Sequence, residues 1–502
     1  MGEAFNNLKA RLADYTHLHQ AASLLSWDQE TYMPAGAVHS RGDQMATVSK
    51  LAHELFVSAQ TRKLLRLAAR DELVAGNPDS DEAAIVRVTQ RDLKRETNIP
   101  AEFVAEMERT RAESHQVWIE ARQASNFKHF EPWLTKIFDL ARRYADYQGY
   151  KEHPYDALLD NYEPGMRASQ VRAIFSELRA GLVPLAKAIS AKSDLVDNSI
   201  LHAHYPRAQQ IQFAMGVSKQ FGYDLNHGRM DPSAHPFCQS LSSQDVRITT
   251  RLDENFFNPM LFGTLHETGH ALYEQGISAA FAHTALEQGA SLGIHESQSR
   301  MWENLVGRSH EFWQHFYPQL RQTFPEQLGR VELEQFYRAI NKVSPSLIRI
   351  EADEVTYNLH IMVRFELELE LLEGKLKVAD LPAAWNARYH DYLGIEPPDD
   401  ARGVLQDTHW SIGYIGYFPT YSLGNLASVQ LFEKAEQDIP GLRTHIATGE
   451  FKPLLGWLRE HVHQYGRKYT PEQLLKRATG RKLTARPYLR YLKKKYTTIY
   501  GL

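Results

Sequence analysis

The sequence predicts an all-α protein with a small β-hairpin or short sheet beside one histidine-bearing helix. Three observations carry this prediction. Apolar residues recur at helical spacing over most of the chain. One stretch alternates β-branched residues and reads as a strand. The segment that follows it, FFNPMLFGTLHETGHALYEQG (256–276), carries start and stop signals for a helix of its own.

In chain order, residues 1–145 repeat apolar residues at helical spacing, as at Leu8, Leu12, Tyr15 and Leu18, then Phe103, Met107 and Trp118. Pro34 and Gly36 break the first helical region after Trp27-Asp28, and AGNPDSDE (75–82) reads as a surface loop. HPYDALLDNYEPGM (153–166) is turn-rich around a short apolar patch, helical pattern resumes over 168–192, and 193–207 reads as a loop entering another helix. Val246 to Arg251 is the strand-like stretch, turned by Asp253-Glu254-Asn255. Such a strand is either an ordinary structural hairpin or an edge on which an extended peptide pairs. Residues 279–293 read as a loop or short helix, and a helix starting at Ile294 ends near Gly307. Residues 310–390 are helical with an interruption at Pro345. Residues 397–426 are rich in Gly, Pro and aromatics and read as a functional loop. The last seventy residues return to helices.

The central helix contains His266-Glu267-Thr268-Gly269-His270, an H-E-x-x-H pattern. Positions i and i+4 share a helix face, so both imidazoles reach one ion, and Glu267 can point at water beside it. Asn258 is the expected N-cap, Pro259 suits the first turn and Gly276 the stop. Phe262, Leu265, Leu272 and Tyr273 supply apolar surface. Gly263 and Gly269 each cost about 1 kcal/mol relative to Ala in a helix interior, which suggests close approach by backbone or ligand.

The chain has 502 residues, with 57 Lys plus Arg against 61 Asp plus Glu and one cysteine, Cys238. The charge balance gives no sign of a nucleic-acid partner. A lone cysteine excludes an intramolecular disulfide and suits a reducing compartment. Neither a secretory leader nor a run of about twenty apolar residues is visible, so the expectation is a soluble, cytoplasmic protein without a membrane partner.

Two imidazoles leave a catalytic zinc one protein ligand short of the usual three. Glu296 lies on the next helix, after a connection long enough to reverse the chain. Glu274, Glu287 and Glu303 compete with it, and Glu274, one turn past His270, could instead orient a ligand. A bound ion would acidify water and polarise a carbonyl, with Glu267 taking the proton and passing it to a leaving amine. His409, Tyr414, Tyr417 and Tyr421 are donors of the kind an oxyanion needs. Arg349 could receive a carboxylate bidentately or pair with Glu351, Asp353 or another acid. Cys238 lacks a Cys-His signature and reads as a small buried residue.

Taken together these stretches resemble the carboxypeptidase Taq family of metallocarboxypeptidases. The resemblance rests on HPF at 235–237, Asp245-x-Arg247-x-Thr249, H-E-x-x-H at 266–270 and H-E-S-Q at 295–298. It continues with Ile348-Arg349-x-x-Ala352-Asp353 and Gly403-x-x-Gln406-Asp407-x-His409-Trp410, with Trp27-Asp28, Met33-Pro34, HPYDALLD (153–160) and GYFPTY (416–421) familiar in the flanks. It implies His266, His270 and Glu296 as ligands of one divalent metal ion per chain, zinc or cobalt, and Glu267 as general base. It also implies Arg349 as the receptor of a terminal carboxylate. Asp245, Arg247 and Thr249 would border the cleft, and His235, His409 and one of Tyr417 or Tyr421 would face the substrate. The implied architecture is one domain, 1–502, of two helical lobes flanking a deep groove, usually as a homodimer. The implied activity removes C-terminal residues from peptides with a free C-terminus, with broad preference and proline disfavoured. A metallo-oligopeptidase cutting internal bonds could use the same centre. A helical binding protein with a vestigial metal site is a third reading, against which the intact Glu267 counts.

Overall fold

The computed structural model describes residues 2–502, which fold almost entirely as helices, with one three-stranded sheet. The chain forms two compact units, each assembled from three separated segments. One comprises Met1–Thr97, Ser199–Ile340 and Leu431–Arg481; the other comprises Asn98–Asn198, Asn341–Gln430 and Lys482–Leu502. Among the described residues no helix is long and apolar enough to cross a membrane.

The first unit holds the sheet and the H-E-x-x-H helix. Part of its core is a cluster in which Phe5, Leu8 and Leu12 of the first helix meet Phe56, Leu65, Ile277, Phe281 and Leu286. Burying such side chains contributes roughly 1.5–3 kcal/mol each, which is why the apolar spacing of residues 5–12 specifies a docked helix. A second cluster is aromatic: Phe221 meets Trp302 and Phe451 at ring separations of 4.5 and 4.8 Å.

The sheet comprises β1 (Gly228–Pro232), β2 (Cys238–Ser242) and β3 (Asp245–Thr250), in the order β1-β3-β2. β1 runs parallel to β3, with Met230 opposite Ile248, and β2 runs antiparallel, with Cys238 opposite Ile248. The strand foreseen at 246–251 is therefore real, but it is the middle strand. Both of its edges are used, so it cannot be the one that pairs with an extended peptide; the outer edges belong to β1 and β2. The reason is that residues 238–242, which lack a strong β-branched pattern, are drawn into a hairpin with β3, while β1 supplies the other side.

The motif helix spans Phe257–Glu274. Its N-cap is Phe256, in extended conformation and without a side-chain cap bond, so Asn258 lies inside the first turn and does not cap it. Pro259 sits in that turn as expected. The helix is tied down on several sides. Thr264 shares a hydroxyl hydrogen bond with Thr250 of β3, and Thr268 shares one with Ser218, both at 2.9 Å. A Cβ on Gly269 would lie 2.6 Å from both Gln298 O and Ser299 Cα, so this glycine admits the backbone of the helix Leu292–Arg300. Gly263 has no such role, since its Cβ would meet nothing nearer than Pro236 Cγ at 3.8 Å. Gly276, just past the helix, gives room to the buried His463 ring, whose Nε2 lies 2.9 Å from Gln298 Oε1.

In the second unit the central helix is Tyr357–Leu372. Arg364 and Glu368, one turn apart, are both fully buried in it. Glu368 accepts from Tyr155 Oη at 2.7 Å, Trp410 Nε1 at 2.8 Å and Gly416 N at 3.2 Å, while burial pushes its carboxyl up to about 7. The segment before this helix is irregular: Arg349–Glu351 forms a single 3-10 turn, where the sequence suggested continuous helix after Pro345. The Gly- and aromatic-rich loop ends where the helix Pro419–Asp438 begins.

Gly269→Ala separates two magnitudes. The helix gains about 1 kcal/mol of propensity, whereas overpacking against fixed backbone costs typically 1–3 kcal/mol. The second should win, lowering the unfolding temperature and weakening divalent-ion binding together. An unchanged melting curve and unchanged ion binding would refute the close-approach argument.

Candidate active site

The motif helix turns His266 and His270 to one side, and Glu296 arrives from the helix Leu292–Arg300. Glu296 Oε2 lies 3.5 Å from the Nε2 of each imidazole. The ligand atoms of these three residues all fall within 4.8 Å of one another, so one small cation could touch all three. The three other acids have different positions. Glu303 Oε2 is 2.9 Å from His266 Nδ1. Glu274 Oε1 is 2.7 Å from His295 Nε2, and His295 Nδ1 is 2.6 Å from His270 Nδ1. Glu287 takes hydrogen bonds from Ser243 N and Oγ and from His283 N, far from competing for the imidazoles.

A local departure from α-helix helps to place Glu303. The helix Leu292–Arg300 continues as a π-helical turn, Met301–Val306. Such widened turns are frequent at functional sites because they change which face a side chain occupies. Arg300 donates to Glu296 Oε1 at 2.7 Å and to Glu303 Oε2 at 3.2 Å, linking the two acids. Ser299 Oγ adds a bond to Glu296 Oε2 at 3.1 Å.

The electrostatics suit a cation. Burial pushes His270 down to about 3, so its imidazole is neutral and retains a lone pair. Burial also opposes charge on His266, but Glu296 and the Glu303 hydrogen bond outweigh it and raise that histidine. Glu296 itself is driven up by burial and more strongly down by Arg300 and His266, so it remains ionised. Burial lifts Glu267 to about 7, with Glu296 and Glu303 adding to the rise and His266 opposing it. Glu267 and Glu296 are buried, and half-buried Glu303 lies beside them; Arg300 pairs with Glu296 and Glu303, and Arg308 with Glu303. A divalent cation held by the convergent donors would offset the negative charge of these acids, and two imidazoles with a carboxylate are a donor set that zinc-type ions accept.

The second unit places another set of expected residues together. Arg349 is buried; its Nε and Nη2 donate to Asp407 Oδ1 at 3.0 and 2.8 Å, and its Nη1 donates to Tyr357 Oη at 3.0 Å. Its acid partner is therefore Asp407. Glu351 is exposed, and Asp353 instead accepts from the backbone of Val355 and Thr356 at 2.9 and 3.0 Å. Arg364 holds the other oxygen of Asp407, Nε to Oδ2 at 2.6 Å. Burial favours a neutral Asp407, but Arg349 and Arg364 hold it well below the usual carboxylate range. His409 Nε2 lies 3.3 Å from Tyr421 Oη, its ring is 5.2 Å from that of Tyr417, and its buried Nδ1 has no hydrogen-bond partner among the described residues. Burial and then Arg349 push His409 down to about 3. Tyr414 is exposed and stacks on Tyr417 at 5.7 Å.

The remaining candidates lie on or beside the sheet of the first unit. Asp245 and Arg247 form a two-bond ion pair, both contacts at 2.8 Å, and Arg247 lies 4.4 Å over the Trp27 ring. Thr249 is fully buried; its hydroxyl accepts from Phe237 N at 2.9 Å and from Ser233 Oγ at 2.7 Å. It therefore fastens the loop that carries the exposed His235, and it has no free group for a peptide. Sequence reasoning overlooked His295, Arg300, Tyr357 and Arg364 as parts of these clusters. A signal existed for Arg364: a lone guanidinium within the apolar run LHIMVRF announces a buried acid elsewhere.

Residues 7–496 match the family described as carboxypeptidase Taq (M32) metallopeptidase. The chain is 44% identical over 508 aligned positions to thermostable carboxypeptidase 1 of Thermus thermophilus, with 99% of each chain covered. It is 38% identical to carboxypeptidase 1 of Bacillus subtilis, with 97% of each covered. The crystal structure of an M32 carboxypeptidase from Deinococcus radiodurans R1 superimposes with a TM-score of 0.97 at 45% identity, covering 100% of both chains. Sequence, fold and the convergence of His266, His270 and Glu296 agree, and the chain belongs to the carboxypeptidase Taq (M32) family of metallopeptidases.

Proposed function

We propose that this metallocarboxypeptidase removes single residues from the free C-terminus of peptides, with broad preference, at a divalent ion held by His266, His270 and Glu296. The observation that carries the reading is the meeting of two Nε2 atoms and one ionised carboxylate beside Glu267. Zinc or cobalt suits these donors. When bound, such an ion supplies Lewis-acid chemistry: it acidifies water and polarises a carbonyl.

The chain's own residues do the rest. Glu267 is the general base, taking a proton from the attacking water and delivering it to the departing amine. A carboxyl lifted by burial to about 7 is matched to both halves of that transfer near neutral pH. Arg349 receives the terminal carboxylate. Asp407 and Tyr357 hold its guanidinium in one orientation before substrate arrives, so little side-chain freedom is lost on binding. His409, through the Nε2 that lies 3.3 Å from Tyr421 Oη, and Tyr417 or Tyr421 supply donors to the developing oxyanion. His235, Asp245 and Arg247 contribute substrate contacts, and Thr249 supports them by fixing the loop 233–237. A homodimer in a cytoplasmic setting completes the proposal, on family likeness.

The direct test pairs an N-blocked tripeptide bearing a free C-terminus with its C-terminal amide. Each is incubated with and without chelator and after zinc or cobalt is restored. Release of the last residue from the free acid alone, abolished by chelator and recovered with metal, is expected. Internal cleavage of both peptides would point to an oligopeptidase. Two variants refine this. Glu267→Ala should keep its metal content while kcat falls by about 10²–10⁴-fold; undiminished turnover would remove Glu267 from the mechanism. Arg349→Ala should lose about 10- to 150-fold in kcat/KM on free acids, the worth of a charge-assisted contact, and lose its discrimination against amides. Discrimination equal to that of the unmodified enzyme would reject the assignment.

A further inference from the structure

The two imidazoles at the centre are supported differently. His266 Nδ1 meets a carboxylate directly, Glu303 at 2.9 Å. His270 Nδ1 meets a second imidazole, His295 Nδ1 at 2.6 Å, and only beyond it a carboxylate, with His295 Nε2 2.7 Å from Glu274 Oε1. Two nitrogens at 2.6 Å require one proton between them. If His295 donates its Nε2 proton to Glu274, its Nδ1 carries a lone pair, and the shared proton belongs to His270 Nδ1. His270 Nε2 then presents its own lone pair toward Glu296, 3.5 Å away.

The rest of the pocket fixes the His295 ring. Tyr273 packs at 5.1 Å between ring centroids, and its hydroxyl accepts from Ala290 N at 3.0 Å. A Cβ on Gly289 would come within 2.8 Å of His295 Cδ2 and 2.9 Å of Tyr273 Cε1, so a glycine there lets the backbone press against both rings. Glu274 follows His270 by one helical turn and is buried, with its carboxylate on His295.

We infer that His295 and Glu274 form a positioning relay that sets the tautomer and aim of His270 as a metal ligand. This deepens the metal-centre reading and rests on it. The relay makes the two ligands unequal. His266 is polarised by a full charge in contact with it, whereas His270 feels the charge of Glu274 through an intervening ring. His295 and Glu274 lie outside the group His266, His270 and Glu296 whose donor atoms converge. They act on His270, as outer partners of ligating histidines generally do, with losses of about 10–100-fold in metal affinity when removed.

The test is zinc and cobalt affinity of the full chain, measured by equilibrium dialysis against metal buffers, with melting curves of the metal-free proteins in parallel. His295→Phe keeps a ring in the pocket but removes both nitrogens, and should weaken binding by about 10–100-fold. His295→Asn returns an acceptor where Nδ1 stood and should recover part of that loss. Glu274→Gln keeps the shape of the relay while removing its charge, and should weaken binding by roughly tenfold with a metal-free melting temperature close to that of the parent. Affinities of His295→Phe and Glu274→Gln within twofold of the parent, with His270→Ala losing the ion, would overturn the relay and leave the metal centre standing. A parent chain that binds no divalent ion, or binds it equally well as His270→Ala, would overturn the centre and the relay with it. Should His295→Phe fail to fold, Glu274→Gln decides alone.

Discussion

The candidate centre depends on how closely two helix backbones approach at Gly269. Without a Cβ there, the helix Leu292–Arg300 comes close enough to bring Glu296 to 3.5 Å from both imidazoles. The same approach brings His295, Ser299 and Arg300 into range of the H-E-x-x-H face. The neighbouring ties from Thr264 to Thr250, Thr268 to Ser218 and Gln298 to His463 hold this separation on several sides. The ligand geometry is thus a property of packed backbone, which is rigid on the scale that metal coordination requires.

Charge is balanced in contrasting ways in the two units. Around Asp407 one carboxylate receives two guanidinium groups, so it stays ionised and the cluster keeps a net positive charge. A network satisfied in this way orders Arg349 before anything binds. Around His266 and His270 the side chains are less evenly matched: Arg300 pairs with Glu296 and Glu303, Glu267 lies beside the same two acids, and burial keeps His270 neutral. The first arrangement is suited to presenting a cation to an incoming anion, the second to holding one.

Small changes of local structure carry much of this. A π-helical turn at Met301–Val306 lets Glu303 reach back to His266, and a single 3-10 turn at Arg349–Glu351 sends Arg349 inward while Glu351 faces solvent. Neither turn has a strong compositional mark. The same holds for β2, whose sequence CQSLS is a poor strand former and is stabilised by pairing with β3.

The sequence alone determined the helical class, the H-E-x-x-H face, the lone strand at 246–251 and, through six motifs in order, the family. These are local or short-range properties: a four-residue period places two imidazoles together, and alternation marks a strand, whatever surrounds them. Tertiary structure decided what depends on residues distant in the chain. It decided that Asp407 and not Glu351 or Asp353 meets Arg349, that Glu303 and Glu274 stand behind the imidazoles, and that Thr249 is consumed by the loop it anchors. It also placed β3 in the middle of its sheet and moved the helix cap from Asn258 to Phe256. Spacing along a chain says which groups can share a face; which distant group fills the space opposite is fixed only when burial forces each polar atom to find a partner.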